Sequence, residues 1–459
     1  MSIAVIGGGW AGLTAAWSLL RQGQSVELFE AARVLGGRAR TVHARKLDLP
    51  IDNGQHILLG AYTETLTVMQ ELGLDPDLLF HRESMALDSA DGAFRLHALP
   101  LPAPLHLLGG VLSARGLSLK ERLGLIRLIS TLRRQDWTPA AGLSVLQWLQ
   151  QGRQTPHAIR MFWQPLCLAA LNTPIDQACA LLFAHVLRDS LGGSKTDTDI
   201  LISRVDLSSL WPNTLASRFD ELASQGARLH LAHAVRQLDT CPTGVYVDGQ
   251  HFDAVVVAGN TPSCLKLLQQ LPAMDGSQAY LAMLSNFRFL PIATLTLQLE
   301  QAWHLPHPML MLQDSPEQLQ FGQWLFDRSA YAAKNLTMPN QSDNTALNAQ
   351  RLLHVVISDA SALQAHAPSD IAQAIIKQIQ TQTRRFGNMP HVVNYELIVE
   401  KRATFAATPA LPRPGVNTPW PRVWVAGDWT DTGYPGVLEG AVRSGRAAAQ
   451  AISSRLAKA

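Results

Sequence analysis

The chain has 459 residues, of which 47% are apolar and only 16% charged, so it is long enough to demand two intertwined domains rather than one simple core. A formal net charge of +2 provides no global field of the kind a nucleic-acid partner requires, and that class is excluded. The four cysteines, Cys167, Cys179, Cys241 and Cys264, form no CxxC pair and no metal-ligand spacing. They read as reduced core thiols of a cytoplasmic protein with no metal centre.

Residues 2–6 are a short apolar, β-branched run, so a buried parallel strand opens the chain with no signal peptide before it. Gly7, Gly9 and Gly12 follow in G-x-G-x-x-G spacing and lead into a helix through Ala11, Ala15, Ala16, Leu19 and Leu20. Gly23 stops that helix and Ser25–Phe29 supplies a second strand, which completes a βαβ unit. The glycines allow a tight turn, backbone approach to a pyrophosphate and close helix–strand packing. The helix N-terminus, Ala11 included, offers free N–H groups and a positive dipole end to phosphates. Glu30, followed by Ala31, ends the second strand 23 residues after Gly7, where a carboxylate accepts from free ribose hydroxyls and disfavours a 2′-phosphate. Gly36 and Gly37 then precede Arg38 and are expected to let its guanidinium reach back to the phosphates. With Glu30 upstream, that pattern separates flavin proteins from simple NAD dehydrogenases.

From about 80 to 205 the chain is rich in Leu, Pro and Trp and mostly helical in pattern. The uncharged run 96–114 holds Pro100, Pro102, Pro104, Gly109 and Gly110, which would break a spanning helix, so it is not read as transmembrane. Ser118 and Glu121 form a capping-box pattern opening a helix with Leu123, Leu125, Ile126, Leu128, Ile129 and Leu132. Lys120, Arg122, Arg127, Arg133 and Arg134 interleave with them. Residues 96–134 are therefore expected to dock on an anionic membrane surface, peripherally on the inner face of the cytoplasmic membrane. An ordinary helix packing its apolar side on the substrate domain is the competing reading.

Strand grammar returns at 227–231, 244–247 and 254–258, and weakly at 295–299. An exposed loop is expected over 335–350, a strand over 352–357 and an amphipathic helix over 371–386. Residues 422–426 form a strand ending in Gly427 and Asp428, with a helix from about 437 onward. Asp428 can accept a ribityl hydroxyl. Gly436, Val437 and Leu438 open a helix whose N–H groups could stabilise negative charge on a reduced flavin pyrimidine. The fold class is α/β. A Rossmann-type FAD-binding domain in three parts (1–78, 206–275, 416–459) is interrupted by a mixed α+β substrate domain in two (79–205, 276–415).

These segments resemble the flavin amine-oxidase superfamily, which includes monoamine oxidases, protoporphyrinogen oxidases and carotenoid desaturases. The stretch Asp52-Asn-Gly-Gln-His-Ile-Leu-Leu-Gly-Ala-Tyr62, with Lys401-Arg-Ala-Thr404 and the C-terminal segment, is similar to the hydroxysqualene dehydroxylase family over the whole length. That resemblance implies FAD, a backbone contact from Val235 to the adenine, and reduction of hydroxysqualene to squalene in bacterial squalene and hopanoid synthesis. The partner would be an apolar isoprenoid, and no electron donor is specified. The 52–62 loop would lie against the isoalloxazine, making Gln55 and His56 the candidate polar pair for the leaving hydroxyl. Tyr62 and Tyr434 are further candidates, and Lys401 or Arg402 could contact the flavin through water. No cysteine lies near the C-terminal motifs, so the flavin is expected to be noncovalent. A carotenoid-type desaturase or amine oxidase of the same fold stays open, as does a prenyl-chain carrier of the GDP-dissociation-inhibitor type.

Overall fold

The structure, a computed structural model, describes residues 1–328 and 351–456; the loop expected over 335–350 lies outside them. Five parallel strands form one sheet in the spatial order Ala227–His230, Ser25–Phe29, Ser2–Ile6, Ala254–Val257, Val423–Val425. The first strand is central because it is apolar throughout: Ile3, Ala4 and Val5 are fully buried, with Ile3 beside both Val26 and Ala254. Three distant stretches of sequence therefore build one sheet. Strand order reverses at Ser2–Ile6, and in such sheets ligands bind in the crevice at the carboxyl ends of the strands near that reversal. Helix Trp10–Arg21 covers the first strand, and the C-terminal helix Leu438–Leu456 packs across it.

A second, antiparallel sheet has the order Met309–Met311, Trp324–Asp327, Leu352–Ser358, Phe289–Leu299, Val392–Phe405. The 11-residue strand Phe289–Leu299 is paired on both sides, between Leu352–Ser358 and Val392–Phe405, and only 295–299 of it is legible as a weak alternation in sequence. The reason is burial on both faces: Ala293, Leu295 and Leu297 are buried on one side, Thr294 and Thr296 on the other.

Helix Leu119–Arg134 begins at Ser118 with both capping-box bonds formed. Leu125, Leu128 and Leu132 enter the main core, so this stretch of the helix takes the ordinary packing role. The helix expected over 371–386 runs Pro368–Gln382 and continues into a short 3₁₀ turn, Arg384–Phe386. All four cysteines are free, and Cys167 and Cys264 are buried. Among the described residues no helix is long and apolar enough to cross a membrane.

Candidate active site

The glycine turn is set by sterics. Gly7 has φ +112°, and a Cβ on it would lie 2.8 Å from the Ala258 carbonyl oxygen. Its N–H donates to the Phe29 carbonyl at 2.8 Å, tying the turn to the second strand. Gly12 lets the helix approach so closely that a Cβ there would meet the Gly7 carbonyl oxygen at 1.9 Å. Gly9 caps the helix without a side-chain bond, and no acid stands in the first turn. Gly9 forms a parallel bridge with Gly36, and among the described residues the N–H of Ala11 takes no protein acceptor. The nearest atom to a Cβ on Gly9 would be Gly37 Cα at 3.8 Å, so the space over the turn is open. An N–H at a helix start beneath open space is what an anionic pyrophosphate needs.

Glu30 braces the turn from the other side. One carboxylate oxygen accepts from Gly8 N–H at 2.5 Å and the other from Ala32 N–H at 2.7 Å, flanking Ala31. Each oxygen keeps a further lone pair for a ribose hydroxyl. The Val235 backbone has no hydrogen bond among the described residues, so it is free for an adenine edge.

Arg38 joins the two ends of the chain. Its Nη2 lies 2.7 Å from Asp428 Oδ1, and Nη1 donates to the Ala403 carbonyl. Sequence spacing aimed this guanidinium at the glycine turn; the structure sends it to Asp428, a buried carboxylate within reach. Burial works against its charge, but pairing with Asp428 outweighs that and holds its pKa above the ordinary value. Gly427 N–H donates to Ser444 Oγ at 2.9 Å, and a Cβ on Gly436 would lie 3.3 Å from Asp428 Oδ2, which places Gly436 against Asp428. Val437 N–H bonds the Pro435 carbonyl at 2.8 Å, and Leu438 starts the C-terminal helix.

The 52–62 loop lies beside this junction. Asn53 donates to the Arg38 carbonyl at 3.1 Å. Asp52 is paired with Arg328 at 2.7 Å, and burial still pushes its pKa above the usual carboxylate range. Gln55 donates to the His56 carbonyl at 3.2 Å, while its own amide oxygen is buried without a partner. His56 Nδ1 lies 2.8 Å from the Gly54 carbonyl. A carbonyl only accepts, so Nδ1 carries the hydrogen and Nε2 of the neutral ring is left as an acceptor. Burial lowers the His56 pKa below its ordinary value. Tyr434 donates to Asp189, and burial pushes the pKa of Tyr434 and of Tyr62 upward. Lys401 and Arg402 are exposed, and Arg402 contributes a carbonyl to Arg38 at 3.4 Å.

Two further residues, neither of them a sequence candidate, shape the site. Arg413 donates to the carbonyls of Asp428, Trp429, Thr430 and Tyr434, gathering the loop after Asp428; burial lowers its pKa to about 10. Its only signal in sequence is a lone cation between Pro412 and Pro414. Glu439 is fully buried in the first turn of the C-terminal helix. It accepts from the backbone N–H groups of Glu64 and Thr65, from Thr65 Oγ at 2.7 Å, and from Arg443 at 2.9 Å. Its charge is thus spent on the helix Thr63–Glu71 and on Arg443 rather than left beside Leu438.

Open space over Gly9, the free Ala11 N–H, a free Val235 backbone and the Arg38–Asp428 junction together fit an extended dinucleotide. Residues 10–453 match the family described as flavin containing amine oxidoreductase. The chain is 29% identical to a hydroxysqualene dehydroxylase of Rhodopseudomonas palustris, covering 98% of both chains. It is 26% identical to one of Zymomonas mobilis over 97% of each. Among solved structures, cyclohexylamine oxidase from Brevibacterium oxydans superposes with a TM-score of 0.68 at 16% identity, covering 99% of both chains. The chain belongs to the flavin containing amine oxidoreductase family and is an FAD-dependent oxidoreductase.

Proposed function

We propose that the protein reduces hydroxysqualene to squalene. The observation that carries this reading is the end-to-end similarity to two hydroxysqualene dehydroxylases. The substrate is an allylic alcohol: its protonated oxygen leaves as water with the C–O electron pair, and the delocalised carbocation is closed by a hydride to give C–H. One proton and one hydride are consumed. Bound FAD in its reduced form supplies that hydride and its two electrons.

The remaining work falls to the chain. Glu30, Val235 and the turn from Gly7 to Gly12 hold the adenosine and pyrophosphate, while Asp428 and the segment Gly436 to Leu438 hold the flavin end. The unpartnered Gln55 amide oxygen accepts from the substrate hydroxyl and aims it. His56 delivers the proton from Nε2, which requires the imidazolium form. Because burial lowers its pKa, that form is the minor one at neutral pH. The rate is therefore expected to rise as pH falls, with the limb below the free imidazole value of 6.5, and His56→Gln should remove that limb.

The test is anaerobic: reduce the flavin of the purified holoenzyme, add hydroxysqualene, and follow squalene formation together with flavin reoxidation. No squalene from fully reduced enzyme would refute the reading. Dehydrogenation of phytoene by the oxidised enzyme would replace it with a desaturase.

A further inference from the structure

Fourteen large apolar side chains are exposed among the described residues, and six of them fall in one short stretch: Leu101, Leu105, Leu108, Leu112, Leu119 and Leu123. The other eight are scattered along the chain. Leu105, Leu108 and Leu112 share one face of the helix Leu105–Ser113, and Leu119 and Leu123 stand on the adjoining end of Leu119–Arg134. Soluble surfaces rarely gather leucines in this way without a use for them.

The patch is held firmly from behind. His106 and Gly110, on the opposite face of the first helix, are buried, and His106 approaches Thr198 Oγ at 3.4 Å. Arg122 clamps the two helices, donating to the Leu112 carbonyl at 2.8 Å and the Leu117 carbonyl at 3.0 Å. The leucines are therefore displayed on ordered helices rather than exposed by fraying.

Charge decides what the patch faces. Between residues 98 and 134 there are six basic residues and one acid. Arg115, Lys120, Arg127, Arg133 and Arg134 are exposed, and among the described residues their side chains make no ion pair or hydrogen bond. The acid, Glu121, is consumed by Ser118, Thr155 and His157, and these bonds hold its pKa down at about 2. A second copy of the chain would set this basic rim against itself, which is repulsive. Anionic lipid headgroups are attracted to it, and leucines at this level reach the headgroup–acyl boundary.

We propose that the protein docks on an anionic lipid surface through Leu101 and the leucine face of Leu105–Ser113 and the start of Leu119–Arg134. This surface is narrower than the span 96–134, because Leu125, Leu128 and Leu132 belong to the core. The docking does not depend on the identity of the substrate.

The test sediments the FAD-loaded full chain with vesicles of phosphatidylcholine plus phosphatidylglycerol, and with phosphatidylcholine alone. Wild type is expected to follow the anionic vesicles. The variant R127E/R133E/R134E should lose at least about a hundredfold in partitioning, from the attraction each cation feels near such a surface. The variant L105Q/L108Q/L112Q should also stay in the supernatant. Both should keep wild-type flavin absorbance and circular dichroism, because the altered side chains are exposed. Wild type that ignores anionic vesicles, or variants that bind as wild type does, would overturn the proposal. So would a wild-type dimer that the leucine variant converts to monomer, since a second copy would then cover the patch.

Discussion

Replacing Gly12 by alanine tests the cofactor turn with one carbon atom. The added Cβ would sit 1.9 Å from the Gly7 carbonyl oxygen, about 1.5 Å short of the 3.4 Å at which ordinary contact begins. Neither partner can give way easily. Gly7 is bonded through its N–H to Phe29 and is bounded by the Ala258 carbonyl, while Leu13, Ala15 and Ala16 fix the helix in the core. Overpacking of this kind costs about 1–3 kcal/mol. Most of the strain is expected to be relieved by shifting the turn, which misplaces the Ala11 N–H that a pyrophosphate would take. At about 1.4 kcal/mol per tenfold, FAD affinity should fall by roughly 10- to 100-fold. The assay is a titration of apoprotein with FAD, read by flavin fluorescence, alongside the flavin content of protein as purified. Gly23→Ala is the control: a Cβ there meets nothing within 4 Å, although its φ of +77° strains the backbone. It should lose a little stability and keep the cofactor. If Gly12→Ala binds FAD as tightly as wild type, the steric reasoning is wrong.

Glu439→Ala should destabilise the protein by about 3–5 kcal/mol, because it strands buried N–H donors and removes the carboxylate that pairs with Arg443. Glu439→Gln keeps an acceptor and should lose less; equal falls in thermal midpoint for the two variants would contradict this. His354 is buried with Nδ1 3.1 Å from Thr296 Oγ, and burial lowers its pKa from 6.5 to about 3. The unfolded chain therefore binds a proton that the folded chain refuses, so this stability is complete above pH 6.5 and drains as pH falls toward 3. The slope should approach about 1.4 kcal/mol per pH unit in that window. His354→Gln should flatten denaturation midpoints across it, and an unchanged slope would show that another group is responsible.

What the sequence discloses and what it hides divides by range. The strand–turn–helix–strand from Ser2 to Phe29 is legible because its signals are local: apolar runs, glycine spacing, and a carboxylate at the end of the second strand. Asp428 and the last helix are legible for the same reason. Partnerships across hundreds of residues are not. Arg38 finds Asp428, Asp52 finds Arg328, and Glu439 finds Thr65, and no periodicity encodes any of these pairs. His56 is singled out by its loop, yet its tautomer depends on the Gly54 carbonyl, a matter of backbone geometry. The segment 96–134 is legible as apolar and then amphipathic. Which leucines face the core and which face outward depends on the neighbouring elements, and so is fixed only by packing.

The parallel sheet has a consequence for how the protein is made. Its edge strand comes from residues 423–425, and the helix crossing Trp10–Arg21 from 438–456. At about 5–20 residues per second, a ribosome needs roughly half a minute to a minute and a half to deliver the whole chain. Ser2–Ile6 waits for its neighbour Ala254–Val257 until more than half of the chain is made, and Ala254–Val257 then keeps an unpaired edge until 423–425 arrives. Such a nascent chain invites chaperone capture, and translation stalled before residue 423 should yield aggregate rather than a partial flavoprotein.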